Sequence, residues 1–158
     1  MKTIKRRRKE NKTDYLGRIK LLKSNKPRVI FRKTNRYIIA QYVISKEAKD
    51  SIQIGINSKN LIKYGWPKEK TGSLKSLPAS YLTGYLMGKR IIKNKLEQPI
   101  LDIGMIRPIH KSKVFAFLNG LIDAGIKISC KKEALPEEKR LLKEGIDTKK
   151  IKSKIDSE

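Results

Sequence analysis

The alternation of hydrophobic and polar residues divides the first part of the chain into strands joined by short turns. Residues 29–31 form a β-prone run, and a longer run of Tyr, Ile and Val covers residues 36–44. Between them, residues 33–35 have turn chemistry, because Asn35 tolerates left-handed backbone geometry. A polar turn at residues 46–50 precedes residues 52–56, where Ile alternates with Gln and Gly and predicts a half-buried third strand.

Helical spacing marks three further segments. Residues 14–23 predict a short helix with Asp14 as N-cap, because its carboxylate suits the positive end of the helix dipole. Residues 78–94 predict the main helix, opened by Pro78. Residues 112–124 predict a second core helix, and Gly125 is well placed to end it. Their apolar stripes consist of Tyr15, Ile19 and Leu22, then Leu82, Tyr85, Leu86 and Ile92, then Val114, Phe117, Leu118, Leu121 and Ile122.

Small residues form a second stripe along the main helix. Ser80, Gly84 and Gly88 are spaced by four, so they lie on one face. Glycine destabilises a helix, and the usual reason to keep it is the close approach of another backbone. The favoured neighbour is the sheet, and the alternative is RNA.

The remaining segments complete an α/β fold. Residues 100–103 follow a helix and predict a strand reached by a crossover, and residues 126–128 predict a last short strand. Residues 57–76 predict a long loop, and a loop of this length is usually either functional or disordered. From Pro136 the chain is helical and charge-mixed, with residues 149–158 frayed. The predicted fold is a three-stranded antiparallel meander extended by the crossover strand, with helices packed on the sheet.

Charge is the most unusual property of this sequence. Its 158 residues contain 39 Lys and Arg against 15 Asp and Glu, a formal net charge of +24. Residues 1–36 alone contain fifteen basic and two acidic residues, whereas residues 137–158 are nearly neutral. So large a surplus is tolerable where a polyanion neutralises it, and phosphate backbones are the commonest such partner. We therefore divide the chain into a basic arm (1–13) without structure in isolation, a core (14–130) and a C-terminal extension (131–158).

Membrane and secretory classes are disfavoured. No apolar run reaches the roughly 18 residues of a transmembrane helix, and no apolar segment follows the basic N-terminus. Cys130 is the single cysteine, so an intrachain disulfide is excluded. We expect it to be a small, partly buried residue, and its presence as a free thiol is compatible with a reducing, cytoplasmic setting.

Candidate catalytic residues are scattered. The only histidine, His110, lies in a Pro- and Lys-containing loop and reads as a surface or RNA-facing residue. Asp50, Asp102 and Asp123 fall on a turn, a strand and a helix, whereas a two-metal nuclease needs several converging acids. We expect no enzyme, no metal and no cofactor. A metal-dependent nuclease and a non-specific nucleic-acid binder remain the rival classes.

Aromatic residues interleave with the cations. Arg and Lys bind phosphates, and rings stack on unpaired bases, a combination that favours structured RNA with loops. Tyr37, at a strand start, is equally compatible with core packing and RNA contact. Trp66 lies in a basic loop with Tyr64, and we expect it at the RNA interface.

Five ordered segments resemble one known family. They are KTDYLGRIKLLKSNKPR from Lys12, RVIFRKTNRYIIAQYV from Arg28, LPASYLTGYLMGKR from Leu77, VFAFLNGLIDAGI from Val114 and LPEEKRLLKEGI from Leu135. The chain resembles the universal 5S rRNA-binding protein family of the large ribosomal subunit, the eighteenth in the standard naming. The C-terminal extension is similar to the archaeal and eukaryotic branch.

The resemblance implies a non-catalytic protein with a ribonuclease H-like architecture, located in the cytoplasmic ribosome. It implies that the chain binds 5S rRNA and helps attach it to large-subunit rRNA in the central protuberance, beside neighbouring ribosomal proteins that include the other main 5S binder. It places the arm and the hairpin residues against RNA. With the charge pattern, the residues expected to contact RNA are Lys5, Arg6, Arg7, Arg8, Lys12, Arg18, Arg28, Arg32, Lys33, Asn35, Arg36, Tyr37, Trp66, Lys68, Lys70, Lys75, Arg107 and Lys111.

Overall fold

A four-stranded mixed sheet organises the molecule in a computed structural model that describes residues 3–47, 49–142 and 145–157. The strands are β1 (Arg28–Lys33), β2 (Ile38–Lys46), β3 (Lys49–Asn57) and β4 (Ile100–Asp102), in the spatial order β3-β2-β1-β4. β1 pairs antiparallel with β2, and β2 with β3, while β4 joins β1 in parallel. The expected α/β class and the crossover to the fourth strand are confirmed.

The first hairpin turns where the sequence predicted. Lys33 pairs with Ile38, and the Thr34 hydroxyl accepts from the Tyr37 N–H at 2.9 Å and donates to the Tyr37 carbonyl at 2.9 Å. These bonds hold the tip of the hairpin and fix its register.

The third strand is buried over only part of its length. Ile54 and Ile56 are buried as the alternation predicted, but Ile52 is 55% exposed. The pairing of β2 with β3 shifts register between Tyr42 and Val43, next to Ile52. A bulge of this kind bends and twists a strand, and Ile52 lies on its far side, away from the core.

Two long helices, α3 (Leu77–Lys93) and α4 (Lys113–Asp123), pack directly on each other. A Cβ added at Gly84 would collide with the Phe117 carbonyl, and one at Gly120 with the Tyr81 carbonyl. The Ser80 hydroxyl donates to the Lys113 carbonyl at 2.5 Å. The small-residue stripe therefore faces a second helix, which corrects both neighbours considered from the sequence, the sheet and RNA.

Residues 57–76 are part of the core and not a loop on its surface. They form two 3-10 helices, Ser58–Tyr64 and Lys68–Ser73, and the Asn57 side chain caps the first by accepting from the Lys59 N–H at 3.0 Å. The segment buries Leu61, Tyr64, Trp66 and Leu74. The expectation of a long loop was wrong. The sequence did not indicate these helices, because the four large apolar side chains are spaced too irregularly to show a helical period.

The segment after α4 contains no strand. Gly125 has a φ of +108° and ends α4 as predicted, with the Ile126 N–H donating to the Leu121 carbonyl at 3.1 Å. Residues 126–128 then run without sheet pairing, and the Lys127 N–H donates to the Gln98 side chain at 3.0 Å. The predicted last strand is thus replaced by a side-chain contact.

Two more helices, α5 (Glu138–Leu141) and α6 (Thr148–Asp156), occupy the C-terminal segment. Ile151 and Ile155 of α6 are 2% and 3% exposed and belong to the same apolar cluster as the sheet and α3. The expectation that residues 149–158 are frayed was wrong over the described part; Glu158 lies outside the described residues.

The N-terminal segment forms two short helices, labelled α1 (Arg6–Lys9) and α2 (Tyr15–Lys23). Asp14 caps α2 as predicted, accepting from the Leu16 and Gly17 N–H groups at 3.0 and 3.1 Å. Neither helix has a buried residue. The helical turn in the arm was not expected; Met1 and Lys2 lie outside the described residues. The division into arm, core and extension stays a prediction.

Candidate nucleic-acid interface

The arm presents its charges to solvent. Its five expected contact residues are all exposed, namely Lys5, Arg6, Arg7, Arg8 and Lys12. One acid, Glu10, lies 3.3 Å from Arg6 and 2.8 Å from Lys12. Because one carboxylate serves so many bases, most of the positive charge remains available to an external anion.

The hairpin tip between β1 and β2 is a second exposed cationic site. Lys33, Asn35 and Arg36 are exposed as expected. Tyr37 is half-buried and packs against the apolar cluster, so the structure favours the core for this ring. The exposed groups of the tip therefore include one amine, one guanidinium and one amide.

Arg32 lies between the tip and the following loop. Its side chain is 44% exposed, and its Nη1 donates to the Phe31 carbonyl at 2.9 Å. Its Nη2 lies 3.7 Å from Asp102 Oδ1. Gly104 has a φ of +60°, and a Cβ there would come within 2.8 Å of the guanidinium. Arg32 thus holds the loop after β4 while keeping part of its charge accessible.

Arg28 is a structural residue and not an RNA contact, which corrects the expectation. Its side chain is 1% exposed. Nη1 donates to Asp102 Oδ2 at 2.7 Å, and Nη2 donates to Asp50 Oδ1 at 2.8 Å and to the Ser45 hydroxyl at 2.9 Å. A buried guanidinium needs this many partners to offset its desolvation.

Two of the candidate catalytic acids, Asp50 and Asp102, both bind this arginine. Partial burial raises the pKa of Asp50, but hydrogen bonds from Ser45 and Arg18 and the charges of Arg28 and Arg18 outweigh burial and hold the pKa below its usual range. Arg18 reaches Asp50 Oδ2 at 3.0 Å. Across residues 3–47, 49–142 and 145–157, no group of His, Cys, Asp and Glu is arranged to hold a metal ion.

Trp66 is the second correction to the expected contacts. It is 2% exposed, and its Nε1 donates to the Lys70 carbonyl at 3.1 Å. A ring enclosed in the core cannot stack on a base. The neighbouring Lys68 is exposed and Lys70 is half-buried. A single Trp in a basic stretch gave no sign of its burial, because burial depends on the helices that fold over it.

A cleft next to the hairpin tip brings together cations from distant parts of the sequence. We call it the basic cleft; its volume is about 330 Å³, and the cations lining it are Lys33, Arg107, Lys111, Lys113 and Arg140. Three of these were expected from the sequence, while Lys113 and Arg140 were missed. Lys113 begins a helix whose apolar residues dominate the pattern, and Arg140 lies among both acidic and basic residues.

Positive charges crowd at this cleft. Burial lowers the pKa of Lys113, and the charges of Lys33 and Lys75 lower it further. Lys75 is exposed and thus joins the same cationic region. Lys111 is paired with Glu137 at 2.8 Å. An anion bound here would relieve the repulsion among the unpaired lysines.

His110 and Cys130 have no reactive arrangement among the described residues. His110 is exposed, with its ring 5.8 Å from that of Phe115 in an edge-on arrangement. Cys130 is half-buried as expected, and burial raises the pKa of its thiol. Within the described part of the chain, no helix combines the length and apolarity that a bilayer crossing requires.

Comparison with known proteins identifies the family. The family described as "Ribosomal large subunit proteins 60S L5, and 50S L18" matches residues 1–99. A relative from Korarchaeum cryptofilum, named large ribosomal subunit protein uL18, is 48% identical over 141 residues, which are 89% of this chain and 70% of the relative. Proteins of the same name from Methanothermobacter thermautotrophicus and Methanospirillum hungatei are 41% identical over 89% of this chain and 42% identical over 85% of it, and the matches cover 71% and 75% of those relatives.

The exposed cations on the arm, at the hairpin tip and around the basic cleft are typical of the class of proteins that bind nucleic acids. The chain belongs to the uL18 family of large-subunit ribosomal proteins. It is therefore a structural component of the cytoplasmic ribosome and not an enzyme, and the resemblance inferred from its five ordered segments is confirmed.

Proposed function

We propose that this protein binds 5S rRNA and helps attach it to large-subunit rRNA in the central protuberance. The observation that carries the proposal is the set of exposed cations on the arm, at the hairpin tip and around the basic cleft. Each Lys or Arg that meets a phosphate releases condensed counterions and adds affinity. The neighbours we propose are other large-subunit proteins, including the other main 5S binder.

The fold supports the same assignment. A mixed sheet of order β3-β2-β1-β4 with α3 crossing from β3 to β4 fits the ribonuclease H-like architecture implied by the resemblance. Two acids that a nuclease of this fold could use, Asp50 and Asp102, are both hydrogen-bonded to Arg28. The proposed role of the fold is to hold the hairpin tip and the basic cleft in fixed relation to one RNA.

A non-specific nucleic-acid binder is the alternative function, favoured by the net charge of +24. Equilibrium binding to 5S rRNA, to an unrelated folded RNA of equal length and to duplex DNA, all at physiological salt, separates the two. The proposal expects 5S rRNA to bind at least about tenfold more tightly than either competitor. Equal affinities would leave only the non-specific function.

Replacing Lys33 and Arg36 with Ala tests the hairpin tip. These residues are exposed, so the thermal unfolding midpoint should hold while 5S rRNA affinity falls and the salt slope drops by about 0.7 to 0.9 per lost phosphate contact. Arg32 is left in place because it contacts the loop after β4. Lys59 and Lys127, exposed elsewhere on the surface, provide the matched double-alanine control. Unchanged affinity and slope would remove the tip from the interface.

A further inference from the structure

The helices α3 and α4 lie parallel, and their N-termini meet at the basic cleft. Their contacts run in step, from Ser80 against Lys113 to Gly84 against Phe117 and Gly88 against Leu121. Leu77 opens α3 and Lys113 opens α4, and both residues line the cleft. The positive ends of two helix dipoles are therefore side by side.

Both helices carry an N-cap serine that caps nothing. Ser76 precedes α3 and Ser112 precedes α4, and neither side chain accepts a hydrogen bond from its own first turn. Both hydroxyl oxygens are buried and have no hydrogen-bond partner among the residues that the structure describes. An N-cap serine normally satisfies a first-turn N–H, so the first-turn N–H groups of both helices lack their usual side-chain acceptor. These N–H groups can donate to an anion bound at the helix ends.

The charges around these helix ends have the same sign. Lys113 lies within the fields of Lys33 and Lys75, and both they and burial lower its pKa. Arg107 and Arg140 complete the cationic wall of the cleft. Helix N-termini bind phosphate through backbone N–H groups, and lysines add charge-assisted bonds.

The floor of the cleft is apolar. Phe31 and Val114 are buried beneath it, while Leu77 and Ile106 are half-buried and Ile109 is 58% exposed at the rim. A volume of about 330 Å³ is near the lower end of the roughly 300–1,000 Å³ typical of small-ligand pockets. The cleft is thus sized for one small group with an anionic end and a flat apolar part.

We propose that the basic cleft binds a single unpaired nucleotide of ribosomal RNA. Its phosphate occupies the paired N-termini of α3 and α4, within reach of the amines of Lys33 and Lys113. Its base lies on the apolar floor against Leu77 and Ile106. Unpaired nucleotides in RNA loops can turn outward in this way, whereas a duplex cannot enter so small a cleft. This inference rests on the proposed function, since it adds a specific subsite to it.

The first test measures 5S rRNA affinity for the full-length protein carrying Arg140→Ala or Lys113→Ala. We expect Arg140→Ala to weaken binding about three- to tenfold while the unfolding midpoint moves by less than about 2 °C, because this side chain lines the cleft and is exposed. Lys113→Ala should weaken binding about tenfold. Lys127→Ala, which removes an exposed amine outside the cleft, should stay within about twofold of wild type.

The outcomes separate the two proposals. If wild-type protein does not prefer 5S rRNA, the proposed function fails. If wild type binds but Arg140→Ala and Lys113→Ala behave like Lys127→Ala, the nucleotide subsite is overturned and the function stands. A loss of affinity that is accompanied by a matching loss of stability in both variants would assign these side chains a folding role and also overturn the subsite.

A second test identifies the occupant. A photo-crosslinking amino acid at Ile109, on the rim of the cleft, should react with one unpaired nucleotide of the bound RNA. The same amino acid at Ile52, which is similarly exposed at 55% but lies on β3, is the control and should not mark that nucleotide. Crosslinks from position 109 only to duplex RNA, or in intact ribosomes only to an acidic protein segment, would contradict a nucleotide in the cleft.

Discussion

The two ends of this chain are both rich in basic residues and differ in structure. The arm (residues 3–13) and the C-terminal segment (residues 145–157) are both short, and the arm has the larger excess of basic over acidic residues. The arm forms only the four-residue helix α1, which has no buried residue. The C-terminal segment forms α6, which packs against α3 and the 3-10 helix Ser58–Tyr64. The presence of several lysines alone therefore does not distinguish a free arm from a packed helix.

Two isoleucines account for the difference. Ile151 and Ile155 are four residues apart, so they share one face of α6 and both enter the core. The only aliphatic residue in the described arm, Ile4, is 67% exposed. One apolar side chain cannot offset the entropy of ordering a segment, whereas a pair on one face can.

The charges of the two ends also have different partners. Asp156 accepts from Tyr85 at 2.8 Å and pairs with Lys89 at 2.7 Å, both on α3. Lys152 lies 4.6 Å from the ring centre of Tyr81. In the arm, the described ion pairs of Arg6 and Lys12 reach only Glu10. Charges at the C-terminus are therefore used within the protein, and those of the arm remain for a ligand.

The largest expected effect comes from breaking the packing of α6. Ile155→Ala removes a 3% exposed side chain and should lower the free energy of unfolding by about 2–5 kcal/mol. Ile4→Ala, in the arm, should change it by less than about 0.5 kcal/mol. Urea denaturation measures both. Equal effects at the two positions would mean that α6 does not contribute to the core as the structure indicates.

Removing the arm should weaken RNA binding and leave folding unchanged. The expected loss of binding free energy is smaller than the loss of unfolding free energy in Ile155→Ala. Deletion of residues 1–12 should weaken 5S rRNA binding more than tenfold, about 1.4 kcal/mol, with the unfolding midpoint unchanged. A full-length variant with every Lys and Arg of residues 1–12 changed to Gln separates charge from length and should bind as weakly as the deletion. Unfolding of the core in the deleted protein, followed by circular dichroism, would show that the boundary after the arm is misplaced.

The smallest expected effect is a pH dependence confined to the C-terminal end. A hydrogen bond from Lys89 and a second from Tyr85 hold the pKa of Asp156 below its usual range. A carboxyl with a lowered folded pKa stabilises the protein above its unfolded pKa of about 4, and the contribution disappears as pH falls through the folded pKa.

Asp156→Asn should therefore reduce stability at pH 7 and make no difference at the acid end of the curve. The pair is largely exposed, so the expected difference is only about 0.2–1 kcal/mol. Unfolding curves of the two proteins from pH 7 down to pH 3 test this. Curves separated by the same amount at every pH would show that ionisation of Asp156 is not the cause.

The fold could be predicted well where one element decides its own structure. The hairpin, the N-cap at Asp14 and the end of α4 at Gly125 follow from local turn and capping chemistry. The errors fall where distant segments cover a residue. Trp66 and Arg28 carry the chemistry of an RNA contact, yet the fold encloses the first in apolar side chains and the second between Asp50 and Asp102.

The candidate site divides in the same way. The arm and the hairpin tip are contiguous in sequence, so their charge was visible there. The basic cleft joins Lys33, Arg107 and Lys113, which no local period connects. Lys113 was missed because most residues of its helix are apolar and predict core packing.

The sequence by itself determined the excess of positive charge, the order of the four strands and the two long helices, and membership of the uL18 family, because these depend on composition, on short-range periodicity and on ordered similarity. Only the tertiary structure decided which cations meet and which are enclosed. Glycine at positions 84 and 120 lets the backbones of α3 and α4 approach each other closely. The packing of these two helices brings their N-termini to one cleft, and a long-range contact of this kind leaves no local signal in the sequence.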